Sequence, residues 1–130
     1  MNYKTIDMDS FPRRAHFEYF KGLAYPYVGF TVNVDITGFL AQQKRLGLPF
    51  YLALAYCVTR AANSVPEFRR RIHGDGIIEY DWCHGSHTVA LPDETYCYCT
   101  LDCRMPFEEY LPLAAEAWER AKAASSIEDG

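Results

Sequence analysis

Between Pro49 and Pro66 lies a run, Phe50 to Ser64, in which Leu52, Leu54, Ala55, Cys57, Val58, Ala61 and Ala62 leave few polar positions. At 3.6 residues per turn those side chains spread around the axis, and the spacing predicts a helix buried on most sides. Such a helix has to be enclosed by other elements. Strand-like alternation occurs on either side of it. Phe30, Val32, Val34 and Ile36 alternate with Thr31, Asn33 and Asp35, the pattern of a strand with one buried face. His87–Leu91 and Thr95–Cys103 read as two more strands, and the glycines flanking Asp75 in His73-Gly74-Asp75-Gly76 suit a tight turn between Arg69–Ile72 and Ile77–Tyr80.

Three further helices are expected. Ser10 is placed to cap a helix from Pro12 to Lys21, with Gly22 ending it in a left-handed conformation, and Arg13, His16, Phe17 and Phe20 share one of its faces. Thr37 is placed to cap a helix through Phe39, Leu40 and Leu46, closed by Gly47. Phe107, Tyr110, Leu111, Ala114, Ala115, Trp118 and Ala121 form a stripe along a helix from Pro106 to Ala124, which Pro112 should kink or restart.

A chain of 130 residues, 49% hydrophobic and 23% charged, suffices for one globular domain with a core of its own. Its net charge of −4 removes the long-range attraction to phosphate backbones, so nucleic acid is a poor partner. Residues Met1 to Ser10 carry Asp7 and Asp9 and no apolar run, which predicts neither a signal peptide nor a membrane span, hence a cytoplasmic protein. The odd number of cysteines, five, agrees with reduced thiols.

Cys97, Cys99 and Cys103 project from one face of the last strand, where C-x-C lacks the turn geometry of a zinc ribbon; they read as small apolar residues, and no metal is assigned. His84 and His87 flank Gly85 and Ser86 at a strand start, where side chains can line a cavity mouth, whereas His73 reads as a solvated turn residue. In Arg69-Arg70-Arg71, strand alternation sends Arg70 to one face and its neighbours to the other. The many tyrosines and phenylalanines suit a pocket for a flat apolar ligand.

The ordered set His16-Phe17-Glu18-x-Phe20, Asp35-Ile36-Thr37-x-Phe39, Phe50-Tyr51, Pro66-Glu67-Phe68-Arg69, Tyr80-Asp81, Thr88-Val89 and Glu94-Thr95, with Arg13 three before His16, resembles the chloramphenicol acetyltransferase family across essentially the whole chain. It resembles the N-terminal part of that family, so residues 1–130 would form the first part of a single domain. The resemblance implies an α/β fold, a two-layer sandwich of a mixed sheet covered by helices, incomplete in this chain, and a homotrimer with sites at subunit interfaces. It implies transfer of acetyl from the co-substrate acetyl-CoA to a hydroxyl of chloramphenicol, with no permanently bound cofactor.

The family's general base is a histidine in an H-H-x-x-x-D-G motif that these 130 residues do not contain, so no catalytic residue is assigned. By the same resemblance Arg13 is a structural support for the aspartate of that motif, Tyr19, Phe20 and Ala24 line the acceptor pocket, Ser86, His87, Thr88 and Tyr96 form its far wall, and Tyr51 lies near the approach of CoA. The alternatives are a noncatalytic small-molecule binding or interaction module of the same fold, and an acyltransferase that serves lipoyl carriers.

Overall fold

The computed structural model describes residues 2–124 and 126–127. In chain order these comprise β1 (Tyr3–Thr5), α1 (Arg14–Lys21), α2 (Thr37–Arg45), α3 (Phe50–Asn63), a 3-10 helix (Pro66–Arg69), β2 (Arg70–His73), β3 (Gly76–Tyr80), β4 (Gly85–Ala90), β5 (Tyr96–Leu101) and α4 (Phe107–Lys122). Helices packed on sheets make this an α/β fold, and every strand pair among the described residues is antiparallel.

One sheet has the order β1-β3-β2 and the other is the β4–β5 hairpin. The turn between β2 and β3 is short enough that His73 pairs with Gly76, and Gly74 supplies the left-handed residue (φ 58°) that reverses the chain. In the β4–β5 connection the Asp93 carboxylate accepts hydrogen bonds from the Thr95 amide and hydroxyl, which holds Glu94 at φ 65°.

The main core lies between the β4–β5 hairpin, α3 and α4. Strict alternation along β5 buries Cys97, Cys99 and Leu101 and turns Tyr96, Tyr98 and Thr100 outward. Cys103 follows on the buried side, so the three cysteines behave as the small apolar residues expected of them. Burial pushes the Cys99 and Cys103 thiols up in pKa, which keeps them protonated. The α4 stripe is as the spacing predicts: Tyr110, Ala114 and Ala121 are buried, with Phe107, Leu111, Ala115 and Trp118 packed around them. The Tyr110 hydroxyl donates to the Leu52 carbonyl at 2.8 Å, joining α4 to α3.

Several local expectations are corrected. Residues 24–36 contain no strand; Phe30, Val32 and Val34 are 73–88% exposed, because nothing in the described chain pairs with that segment and alternation without a partner makes no ladder. Ser10 bonds Asp7 instead of capping α1, which starts at Arg14, and Gly22 stays right-handed (φ −79°). Thr37 is the first residue of α2 and not its cap; the Asp35 carboxylate ahead of the helix accepts from the Thr37 amide at 2.9 Å, while Gly47 (φ 64°) closes that helix as expected.

Helix α4 continues unbroken through Pro112, which is exposed, so the carbonyl freed by the missing N–H faces water. Helix α3 is covered less than its composition suggests. Leu52 and Ala53 are buried, but Val58 is 58% exposed and Cys57 is exposed.

Candidate functional site

The uncovered side of α3 faces the start of β4, and a cleft of about 440 Å³ lies between them. Helix α3 contributes Tyr51, Val58 and Ala62 to it, the 3-10 helix contributes Phe68, and the start of β4 contributes Ser86 and His87. Asn63 fixes the spacing of the two sides. Its amide donates to the Cys83 carbonyl and accepts from the Cys83 N–H, both at 2.8 Å, so the end of α3 grips the chain just before β4. Gly85 approaches so closely that a Cβ built there would lie 2.5 Å from Thr59 Oγ1.

At the mouth of the cleft three rings meet. His87 lies 4.9 Å from Tyr51 and 5.6 Å from Trp118 between centroids, and Tyr51 and Trp118 are edge to face at 5.3 Å. Burial lowers the His87 pKa, so its imidazole is neutral at physiological pH. Its Nε2 is sealed from solvent with no hydrogen-bond partner among the described residues, and so is His84 Nδ1. The nearest acid to His84 Nδ1 is Asp102 at 3.7 Å, too long for a hydrogen bond. Hydrogen bonding from Arg104 holds the Asp102 carboxyl below its ordinary pKa.

Residues predicted from sequence to share one pocket fall in three places. Tyr51, Ser86 and His87 line this cleft. Phe20 and Arg13 border a second groove of about 340 Å³ with His16, Phe17 and Ile77; Arg13, His16, Phe17 and Phe20 share one face as their spacing predicts, but no residue of α1 is buried. Tyr19 lies edge-on to Phe20 at 5.2 Å and is exposed, as is Ala24 in the extended stretch after α1. Tyr96 sits at a third concavity beside Leu91 and Ile127.

Thr88 is exposed on the face of β4 opposite His87, because successive strand residues point to opposite sides. These side chains therefore do not form a single enclosed pocket among the described residues. Arg13 reaches Glu67 at 3.6 Å with both side chains more than half exposed, which is not a buried pair.

Sequence reasoning missed Asn63, Thr59 and Arg71 at the cleft. The one signal for Asn63 was an amide at the end of an otherwise apolar helix. No group of three or more His, Cys, Asp or Glu side chains among the described residues could hold a metal ion. No helix among the described residues is long and apolar enough to cross a membrane.

Comparison with known proteins gives a consistent picture. The family model described as chloramphenicol acetyltransferase matches residues 1–123. A chloramphenicol acetyltransferase 2 of Escherichia coli is 31% identical over 104 residues, covering 80% of this chain and 48% of that protein. A chloramphenicol acetyltransferase of Clostridium perfringens is 33% identical over 114 residues, 85% of this chain and 53% of that protein. The chain thus spans about half the length of these relatives. A solved chloramphenicol acetyltransferase structure superposes with a TM-score of 0.86 over 97% of this chain and 60% of its own, at 24% identity, a likeness of fold.

Proposed function

The chain belongs to the chloramphenicol acetyltransferase family, and from that premise we propose that it forms the first part of an acyltransferase that moves acetyl from acetyl-CoA to a hydroxyl of chloramphenicol. The observation that carries this reading is the match of the family across residues 1–123. Acetyl-CoA is a co-substrate here, and no cofactor stays bound. The working assembly is a cytoplasmic homotrimer, in which surfaces left open in one copy are covered by the next.

In this reading Phe20, with Tyr19 and Ala24, meets the apolar body of the acceptor. Ser86, Thr88 and Tyr96 face it from the hairpin, His87 borders the cleft, and Tyr51 stands at the approach of CoA. Arg13 is a support. Its open position beside Glu67 leaves the guanidinium available to an acid outside residues 1–130, as a support for the H-H-x-x-x-D-G aspartate would require.

Acetyl transfer to an alcohol needs a base for the hydroxyl proton and donors for the oxyanion of the tetrahedral intermediate. His87 is neutral, but its Nε2 is sealed from solvent, so it cannot take a proton from a substrate in this conformation. The base is therefore assigned to the family motif, which these residues lack.

The test is an assay of thiol release from acetyl-CoA with chloramphenicol. The expected result is no turnover by the 130-residue chain alone, and turnover when a C-terminal half of a relative carrying H-H-x-x-x-D-G is added. In the complemented enzyme Phe20→Ala should raise the acceptor KM roughly thirtyfold, the weight of a buried aromatic contact of about 2 kcal/mol. The KM for acetyl-CoA should change much less. Turnover by the chain alone would overturn the assignment of the base, and equal effects on both substrates would make Phe20 a core residue.

A further inference from the structure

The three consecutive arginines differ in how their charge is met. Arg70 donates through Nε to Glu79 Oε2 at 3.0 Å and lies 3.6 Å from Glu67, and Arg69 lies 3.6 Å from Glu79. Arg71 has no carboxylate within 4 Å among the described residues, where every other arginine near it has one. Its guanidinium is nevertheless held in place. Nη1 donates to the Phe68 and Arg70 carbonyls at 2.9 and 2.6 Å, and Nη2 reaches Cys83 Sγ at 3.5 Å. Those partners are neutral, so a fixed cation with unused donors borders the cleft between α3 and β4.

The cleft itself is lined chiefly by apolar groups, among them Val58 and Phe68, which are 58% and 64% exposed. A cavity of about 440 Å³ is in the range of small-molecule sites. Apolar walls beside one immobilised guanidinium suit a ligand with an apolar body and a single negative charge, and the planar fork of arginine pairs best with a flat carboxylate.

The geometry points to a binding site here for a small aryl or alkyl monocarboxylate, its carboxylate on Arg71 and its body against Val58, Ala62 and Phe68. The site stands apart from the groove of α1 that holds Phe20, and it shares its cleft with Tyr51, Ser86 and His87.

Calorimetric titration of the 130-residue chain with 4-phenylbutanoate, and with its uncharged isostere 4-phenylbutanamide, tests it in the absence of both substrates. The acid is expected to bind at least about tenfold more tightly than the amide, the weight of one charge-assisted pair. Arg71→Gln should erase that preference, and Ala62→Phe, which fills the cleft, should remove binding of both probes. Because Arg71 also braces two carbonyls, the comparison of acid with amide on the unaltered chain stands without the variant. No binding of the acid at millimolar concentration, equal affinity for the two probes, or an undiminished preference in Arg71→Gln would each overturn the site.

Discussion

Glu79 is the buried charged side chain at the centre of the three-stranded sheet, 6% exposed between β1 and β2. Lys4 of β1 lies 3.3 Å from it, and Arg69 and Arg70 close on it from the other side. Simple alternation would have sent Arg69 and Arg70 to opposite faces. They converge because Arg69 belongs to the 3-10 helix, where the two-residue period does not apply. The hydrogen bond from Arg70 is the main reason the Glu79 carboxyl sits below its ordinary pKa, against the opposing pull of burial. A depressed folded value means the stabilisation is complete above the unfolded glutamate pKa and is lost as pH falls through the folded one. Glu79→Gln should therefore cost about 1.5–3 kcal/mol at pH 7, in line with loss of hydrogen bonds to a charged group. It should also flatten the acid limb of the stability curve in urea titrations run from pH 7 downward. An unchanged acid limb would mean that Glu79 does not carry it.

At the level of elements, the contact between α3 and β4 is tight enough to be tested by a single methyl group. Gly85→Ala puts a Cβ against Thr59 Oγ1, and Thr is too short and branched to swing clear, so a loss of about 1–3 kcal/mol is expected. Thr59→Ala in the same chain removes that atom and should restore most of the loss. Additive effects in a double-mutant cycle by denaturant unfolding would contradict the contact. The helices α3 and α4, the β2–β3 hairpin and the strands β4 and β5 were legible in the sequence because their periodicity is long or their turn chemistry specific, whereas the pairing of β4 with β5 was not read there. The β1 strand was not, since three residues, Tyr3 to Thr5, hold no readable period. The candidate site was legible only in fragments. His87 was marked by its place at a strand start and Ser86 by the family resemblance alone, whereas Arg71 became visible only once Glu79 was seen to engage its two neighbours.

Over the whole molecule, the feature that stands out is the extended stretch from Tyr25 to Val34. Its residues Tyr25, Tyr27, Val28, Phe30, Val32 and Val34 are all more than 70% exposed. A contiguous apolar surface of that kind favours association. Sedimentation velocity of the isolated chain is expected to show mass rising with concentration in the micromolar range, and Val32→Lys with Val34→Lys to shift it at least tenfold toward monomer. A monomer at all concentrations would show that this stretch is tolerated in water.

The β1 pairing also sets an order of events in time. Tyr3 meets Tyr80, whereas β2 meets β3 across a turn of two residues. The hairpin closes a short loop and can form in about 1–10 μs, while docking β1 must first bring together segments most of the chain apart. The N-terminal strand is thus expected to join its sheet after the hairpin has closed, adding Lys4 to a carboxylate that Arg69 and Arg70 already meet from the hairpin side.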